Sequence, residues 1–244
     1  MLPMETRART LRRPADRPVR PDRQHAILLA AEKLFAQHGY RSVSIRQIAD
    51  EASVPLALVS YYYGQKHELF KAIFEHWRST VDERLDLLAR AREGKAGPQM
   101  LHRVVDAFVQ PVLRLRASIE GEYYALLVAR ELFYRTPEAA QVLADHFDPM
   151  AHAFIDALAL SCPGSRRNDA AWAYQFAVGA LLHHISDDRV ERLSANQNTA
   201  ADPSAAAHLV TFLEAGIASV LEASAAAATA LPIPTGSTKP RRQP

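Results

Sequence analysis

Cysteine is all but missing from this chain of 244 residues: Cys162 stands alone, which excludes an internal disulfide framework and fits a reducing cytoplasm. Glycine is scarce too, with 9 residues, while alanine and leucine abound, a balance that favours helices over a sheet. No run of eighteen uncharged apolar residues occurs, so no membrane span is expected. The first residues are rich in arginine and proline rather than apolar, so no export signal is expected either. Cys-x-x-Cys, His-Glu-x-x-His, a glycine-rich phosphate loop and a nucleophile elbow are all lacking. The adjacent His183 and His184 would diverge on a helix, and His146 and His152 stand six apart, so neither pair suits one ion. Metal, cofactor and catalysis are therefore not expected.

What is present is an apolar content of 48%, enough for a core, spread over a length that suits one large or two modest domains. Charge is unevenly placed. Residues 1–23 hold seven arginines against three acids, a net of +4, whereas residues 79–238 hold thirteen bases against nineteen acids, a net of −6. A basic end joined to an acidic remainder points to a polyanion partner at the N-terminal end.

Prolines at 3, 14, 18 and 21 make residues 1–22 read as a disordered basic arm. From Arg23, the positions Ile27, Ala30, Ala31, Leu34 and Phe35 place one apolar stripe on a helix that Gly39 can end in a left-handed conformation. Ser44 and Gln47 have capping-box spacing and open a second helix of about eight residues, too short to stand alone. Pro55 disfavours helix at Val54 and can itself begin a third helix, which Gly64 ends. Leu69, Phe70, Ile73, Phe74 and Trp77 mark a fourth helix continuing toward Leu88. After the break at Gly94 to Pro98 the expected helices lengthen. They run over 101–116 with a kink at Pro111, 123–134, Pro137 to about 160, 168 or 169 to 185, and Pro203 to about 225. Residues 187–202 read as a loop and residues 229–244 as a disordered tail.

Two short helices around a tight turn suit the major groove of double-stranded DNA, which admits a helix and shows a distinct pattern for each base pair. The segment from Ser44 to Ala52 would cross the phosphate backbone and that from Pro55 to Tyr62 would read bases. Pro55, Leu56 and Ala57 could touch thymine methyls, and Ser60 could bond a base edge. Three successive tyrosines cannot all face one core. Tyr63 is expected inward, while Tyr61 and Tyr62 are expected on the outside with hydroxyls free for phosphates. Lys66, at a helix start, and Tyr40 with Arg41 are further phosphate candidates. Ser44, Arg46 and Gln47 complete the candidate DNA-binding set.

The stretches "ILLAAEKLFAQHGY", "SIRQIADEASV" and "YYYGQKHELFKAIF" within residues 24–77 resemble the DNA-binding domain of the TetR family of bacterial transcriptional regulators. Ser53 stands where that family usually has a turn glycine, Pro55 where it has a serine cap, and Ser60 where it often has tyrosine. The resemblance implies an all-α homodimer, with a helix-turn-helix head over residues 23–78 and a larger ligand-binding and dimerisation domain over residues 79–228. It implies a regulator held in the cytoplasm, at the nucleoid when bound to DNA. The leading expectation is a repressor released from a palindromic operator by a small, largely apolar ligand. An activator or a ligand-independent regulator is the alternative.

In the second half, long apolar helices can enclose a pocket. Phe108, Tyr124, Arg130, Phe154, Trp172 and Phe176 are the candidate ligand residues. Arg130 and Glu131 sit in an apolar helix where unpaired charges are costly, and they read as a buried or interfacial pair. Small residues on the last two long helices allow close approach. By analogy with the family, Ala173, Ala177, Ala180, His184, Leu213 and Ile217 are the candidate dimer interface.

Overall fold

The computed structural model describes residues 22–230 apart from 135 and 201. The basic arm, with Arg12, Arg13, Arg17 and Arg20, and nearly all of the expected tail lie outside the described residues. Among the described residues eleven α-helices follow one another: α1 (Arg23–His38), α2 (Ile45–Glu51), α3 (Leu56–Tyr63), α4 (Lys66–His76), α5 (Arg78–Ala91), α6 (Pro98–Ala117), α7 (Glu122–Tyr134), α8 (Pro137–Ser161), α9 (Arg167–Ser186), α10 (Arg189–Leu193) and α11 (Ala206–Ala230). No strand occurs among the described residues, so the expected all-α class holds.

Local chemistry sets the helix ends. The Asp22 carboxylate accepts from the Gln24 and His25 N–H groups and caps α1. Ser44 and Gln47 form the expected reciprocal capping box at α2. Gly39 takes φ +82°, and a side chain there would meet Arg130 Nε at 2.8 Å. Several boundaries depart from expectation. Pro55 precedes α3 as its cap residue instead of beginning it. The fourth helix stops at Trp77, where φ −93° and ψ 11° interrupt it before α5. The segment 187–202 holds the short α10, and a 3₁₀ turn (Pro203–Ala205) leads into α11. Pro111 lies inside α6, which runs as one helix as expected, with α7 and α8 packed alongside it.

Ser53 adopts φ +53°, a left-handed conformation that costs a side-chain-bearing residue about 1–2 kcal/mol. Ser53→Gly should release that cost, minus glycine's own entropy of about 0.5–1 kcal/mol. The expected result is a melting temperature higher by about 1–2 °C, read by circular dichroism; a fall would mean that the serine is favoured there.

Two apolar cores meet. One gathers α1 to α4 around Phe35, Ile48, Val59, Phe70 and Phe74, and reaches onto α7 and α8 through Tyr124, Leu127 and Val142. The other lies among α5, α6, α8, α9 and α11 around Val104, Phe108, Phe154, Leu181 and Leu221. Leu115, Leu132 and Phe147 border both. Helices α2 and α3 are too short to persist alone and depend on this packing.

Candidate nucleic-acid interface and interior cavity

Helix α3 turns one side inward and leaves the rest free. Val59 is fully buried, with Leu58 and Tyr63 half-buried beside it. Tyr63 donates its hydroxyl to the Gln24 carbonyl at 2.9 Å and fastens the end of α3 to the start of α1. Tyr61 is 78% exposed and Tyr62 37%, their rings edge to face at 5.1 Å. Pro55, Leu56, Ala57 and Ser60 are exposed on the same short element. On α2, Ser44, Arg46 and Gln47 are exposed. The Gln47 carbonyl oxygen is already engaged by the Ser44 N–H at 2.8 Å. The structure therefore brings Ser44, Arg46, Gln47, Pro55, Leu56, Ala57, Ser60, Tyr61 and Tyr62 onto exposed positions of two adjoining helices.

The other phosphate candidates are placed differently. Tyr40 is 7% exposed and belongs to the head core, packed on Phe35 at 5.5 Å and Phe70 at 4.8 Å. The positive φ of Gly39 turns the chain back, so that this ring falls between α1 and α4. Lys66 is half-buried with its ammonium 4.3 Å from the centre of the Tyr40 ring, and burial lowers its pKa. Arg41 is held by Glu138 at 3.1 Å, from the first turn of α8.

A cavity of about 430 Å³ lies among α5 to α9. Phe108 and Tyr124 line it as expected, together with Thr80, Arg84, Val128, Tyr174 and Ile185. The remaining ligand candidates do not line it. Phe154 sits behind Phe108, ring to ring at 5.5 Å. Arg130 lies over Gly39 and beside the Tyr134 ring at 5.2 Å. Arg130 and Glu131 do not pair with each other. Glu131 accepts from the Tyr40 N–H at 3.2 Å and the Thr136 hydroxyl at 3.0 Å, tying α7 to the head. Trp172 and Phe176 stand on the outer side of α9, 62% and 60% exposed, with their rings stacked 6.0 Å apart.

Ala173, Ala177, Leu213 and Ile217 are buried inside the chain's own core, while Ala180 and His184 are half-buried. The small residues of α9 serve its packing on α8 and α11, and this pushes the bulky aromatics outward. Phe212 on α11 is 69% exposed and shares an open surface hollow with Ala180, His183 and His184 of α9. Of the interface candidates, Ala173, Ala177, Leu213 and Ile217 thus face the chain's own core, whereas of the ligand candidates Trp172 and Phe176 face outward.

The roles of three residues escape the sequence reading. Glu32 on α1 is buried and accepts from Trp77 Nε1 at 2.6 Å. Burial raises its pKa to about 7, against the lowering effect of that hydrogen bond. Trp77 stacks on Tyr124 at 5.3 Å with the planes 14° apart, and Tyr124 borders the cavity. A continuous contact therefore runs from the cavity wall through Tyr124 and Trp77 to α1. Arg84, buried in the cavity wall, is the third. Glu32 and Arg84 both lie on apolar stripes, between Leu28 and Phe35 and between Val81 and Leu88. That misplaced charge was the signal available in the sequence.

Residues 27–73 match the profile described as bacterial regulatory proteins, tetR family, and residues 106–216 that of a tetracyclin repressor-like C-terminal domain. The regulator HbdR of Aromatoleum sp. (strain CIB) is 35% identical over 77 residues, 32% of each chain. The repressor Rv3405c of Mycobacterium tuberculosis (strain H37Rv) is 33% identical over 118 residues, 48% of this chain and 55% of that one. The chain thus spans roughly a third to a half of the length of these curated relatives. Its fold is similar to that of Mycobacterium smegmatis AmtR, with a TM-score of 0.56 and 22% identity over 89% of this chain and 99% of the other. With the two profiles matched in sequence order, one over residues 27–73 and one over residues 106–216, the chain belongs to the TetR family of transcriptional regulators.

Proposed function

We propose that this chain is a repressor that binds a palindromic operator as a homodimer and is released when a small, largely apolar ligand enters the 430 Å³ cavity. The observation that carries the reading is the exposed run on α3, from Pro55 to Tyr62, beside the exposed Arg46 of α2. Two phenols without an intramolecular acceptor among the described residues, on a helix whose other side is anchored by Val59, form a surface suited to duplex DNA. In this reading Leu56 and Ala57 touch thymine methyls, Ser60 meets a base edge, and Tyr61, Tyr62 and Arg46 hold phosphates. Ser44 and Gln47 act by fixing α2. Lys66 reaches phosphate only by leaving the Tyr40 ring.

The homodimer is supported by the exposed apolar side of α9 and α11, where Trp172, Phe176 and Phe212 stand out. Ala206–Thr229 is long and apolar enough to cross a membrane by length and composition. Its packing on α6 and α9, and the carboxylates Glu214 and Glu222, favour a seam between two copies instead. Release follows if the ligand binds one spacing of the two heads better than the other. The path from Tyr124 through Trp77 to Glu32 would carry that preference.

A duplex from the promoter upstream of the coding sequence is the test. A complex using about six phosphates should weaken about a thousand-fold between 50 and 200 mM salt. Changing Tyr61 and Tyr62 together to phenylalanine should weaken binding roughly tenfold, with the oligomeric state unchanged. A flat salt response in fluorescence anisotropy would refute the reading.

A further inference from the structure

Arg84 is buried deep in the second core, on α5, yet it makes no ion pair with a carboxylate among the described residues. Nη2 donates to the Phe108 carbonyl at 3.3 Å, and Nε is sealed from solvent without any acceptor. The guanidinium lies 5.0 Å from the Phe108 ring centre and 5.5 Å from that of Phe154, so aromatic faces supply its remaining company. The ionisable groups that act on its charge are the phenols of Tyr174 and Tyr124, both of which border the cavity. Asp148 also borders the cavity, but it is exposed and makes no ion pair with Arg84. A guanidinium has five donors in a rigid fork. Here one of the five has an acceptor among the described residues, and burial lowers the pKa. Taking such a cation out of water is costly unless an anion completes it.

The neighbours define what would complete it. Thr80 lies one helical turn before Arg84 on α5 and also faces the cavity. Thr80, Arg84, Tyr124 and Tyr174 thus gather polar groups at one part of the wall, while Val128 and Ile185 are among the aliphatic residues lining the rest. We propose that Arg84 is the anchor for an organic anion, a monocarboxylic acid with an apolar aliphatic or aromatic body, whose head takes the two forward N–H groups of the fork. This deepens the reading of the cavity as the ligand site and rests on it. The volume suits an acid of modest size. Arg84 is seven residues past Trp77 on the next helix, so such a head would bind where α5 leaves the head domain.

Calorimetry on the full chain tests this, with benzoate and a graded series of straight-chain monocarboxylates as probes, each beside its neutral amide or alcohol. Acids should bind at least about tenfold more tightly than their neutral counterparts. In Arg84→Met that preference should vanish. The ligand-free variant should also melt about 2 °C or more above the wild type, since an unpaired buried charge has gone. Equal affinity for acids and neutral compounds would overturn the anionic ligand and leave the cavity reading standing. A preference that survives in Arg84→Met, or a lower melting temperature for it, would overturn Arg84 as the anchor. Binding of neither class would overturn both.

Discussion

A chain carrying Phe176→Asp and Phe212→Asp should sediment as a monomer and lose its grip on the operator, while its helices remain intact. Both rings stand mostly in solvent in the single chain, so their removal leaves its own cores untouched. Covering an aromatic side chain contributes about 1.5–3 kcal/mol. Two of them per copy, each met twice across a two-fold seam, amount to more than about 4 kcal/mol. Aspartate would also place like charges against one another in a closing interface. The dimer should therefore weaken by at least about a thousand-fold, measured by sedimentation equilibrium. Operator affinity should fall with it, because a lone head forfeits the second half-site. A variant that stays dimeric would rule out this side of α9 and α11 as the seam.

Replacing Glu32 with glutamine should change how stability depends on pH. Burial penalises the charge of this carboxyl and raises its folded pKa to about 7 from the ordinary 4.5. Between those two values the folded chain holds a proton that the unfolded chain has released. Stability therefore falls as pH rises through that window, and the loss is complete above about pH 7. A shift of this size corresponds to about 3 kcal/mol at pH 8. Glutamine keeps an oxygen for Trp77 Nε1 and carries no charge. Glu32→Gln should match the wild type near pH 5 and exceed it at pH 8, by several degrees in melting temperature. Identical pH profiles for the two proteins would show that Glu32 is not the titrating group. The same residue ends the contact path from the cavity, so operator affinity in the presence of ligand is a second readout.

The head was the most legible part of the chain because its signals are local. A capping box at Ser44, a proline at 55 and a tyrosine triplet constrain the backbone or the facing of side chains within a few residues. These cues located α2 and α3 and the outward turn of Tyr61 and Tyr62. Tyr40 was misplaced because its burial depends on how Gly39 redirects the chain toward Phe70, a contact across thirty positions. The second half was harder for the same reason. On α9 every side has apolar residues, so periodicity leaves open which side meets α8 and α11 and which meets water. Residue size as a guide assigns small residues to an interface between copies and aromatics to a pocket. Close packing within one chain uses small residues equally well, and Ala173 and Ala177 do so here. Glu32 and Arg84 could have been found from sequence, since each is a charge on an otherwise apolar stripe. Their partners, Trp77 in one case and two phenylalanine rings in the other, come from distant segments.

The interruption at Trp77 divides α4 from α5, and its indole is clasped by Glu32 on one side and Tyr124 on the other. In the proposed release it would act as a fulcrum. Arg84 lies about 10 Å along one arm and Lys66 about 16 Å along the other, at 1.5 Å per residue. If the elbow keeps its angle, a sideways nudge near Arg84 is enlarged by about one and a half times at the tip beside α3. Loosening the indole's clasp would blunt that leverage without altering either end.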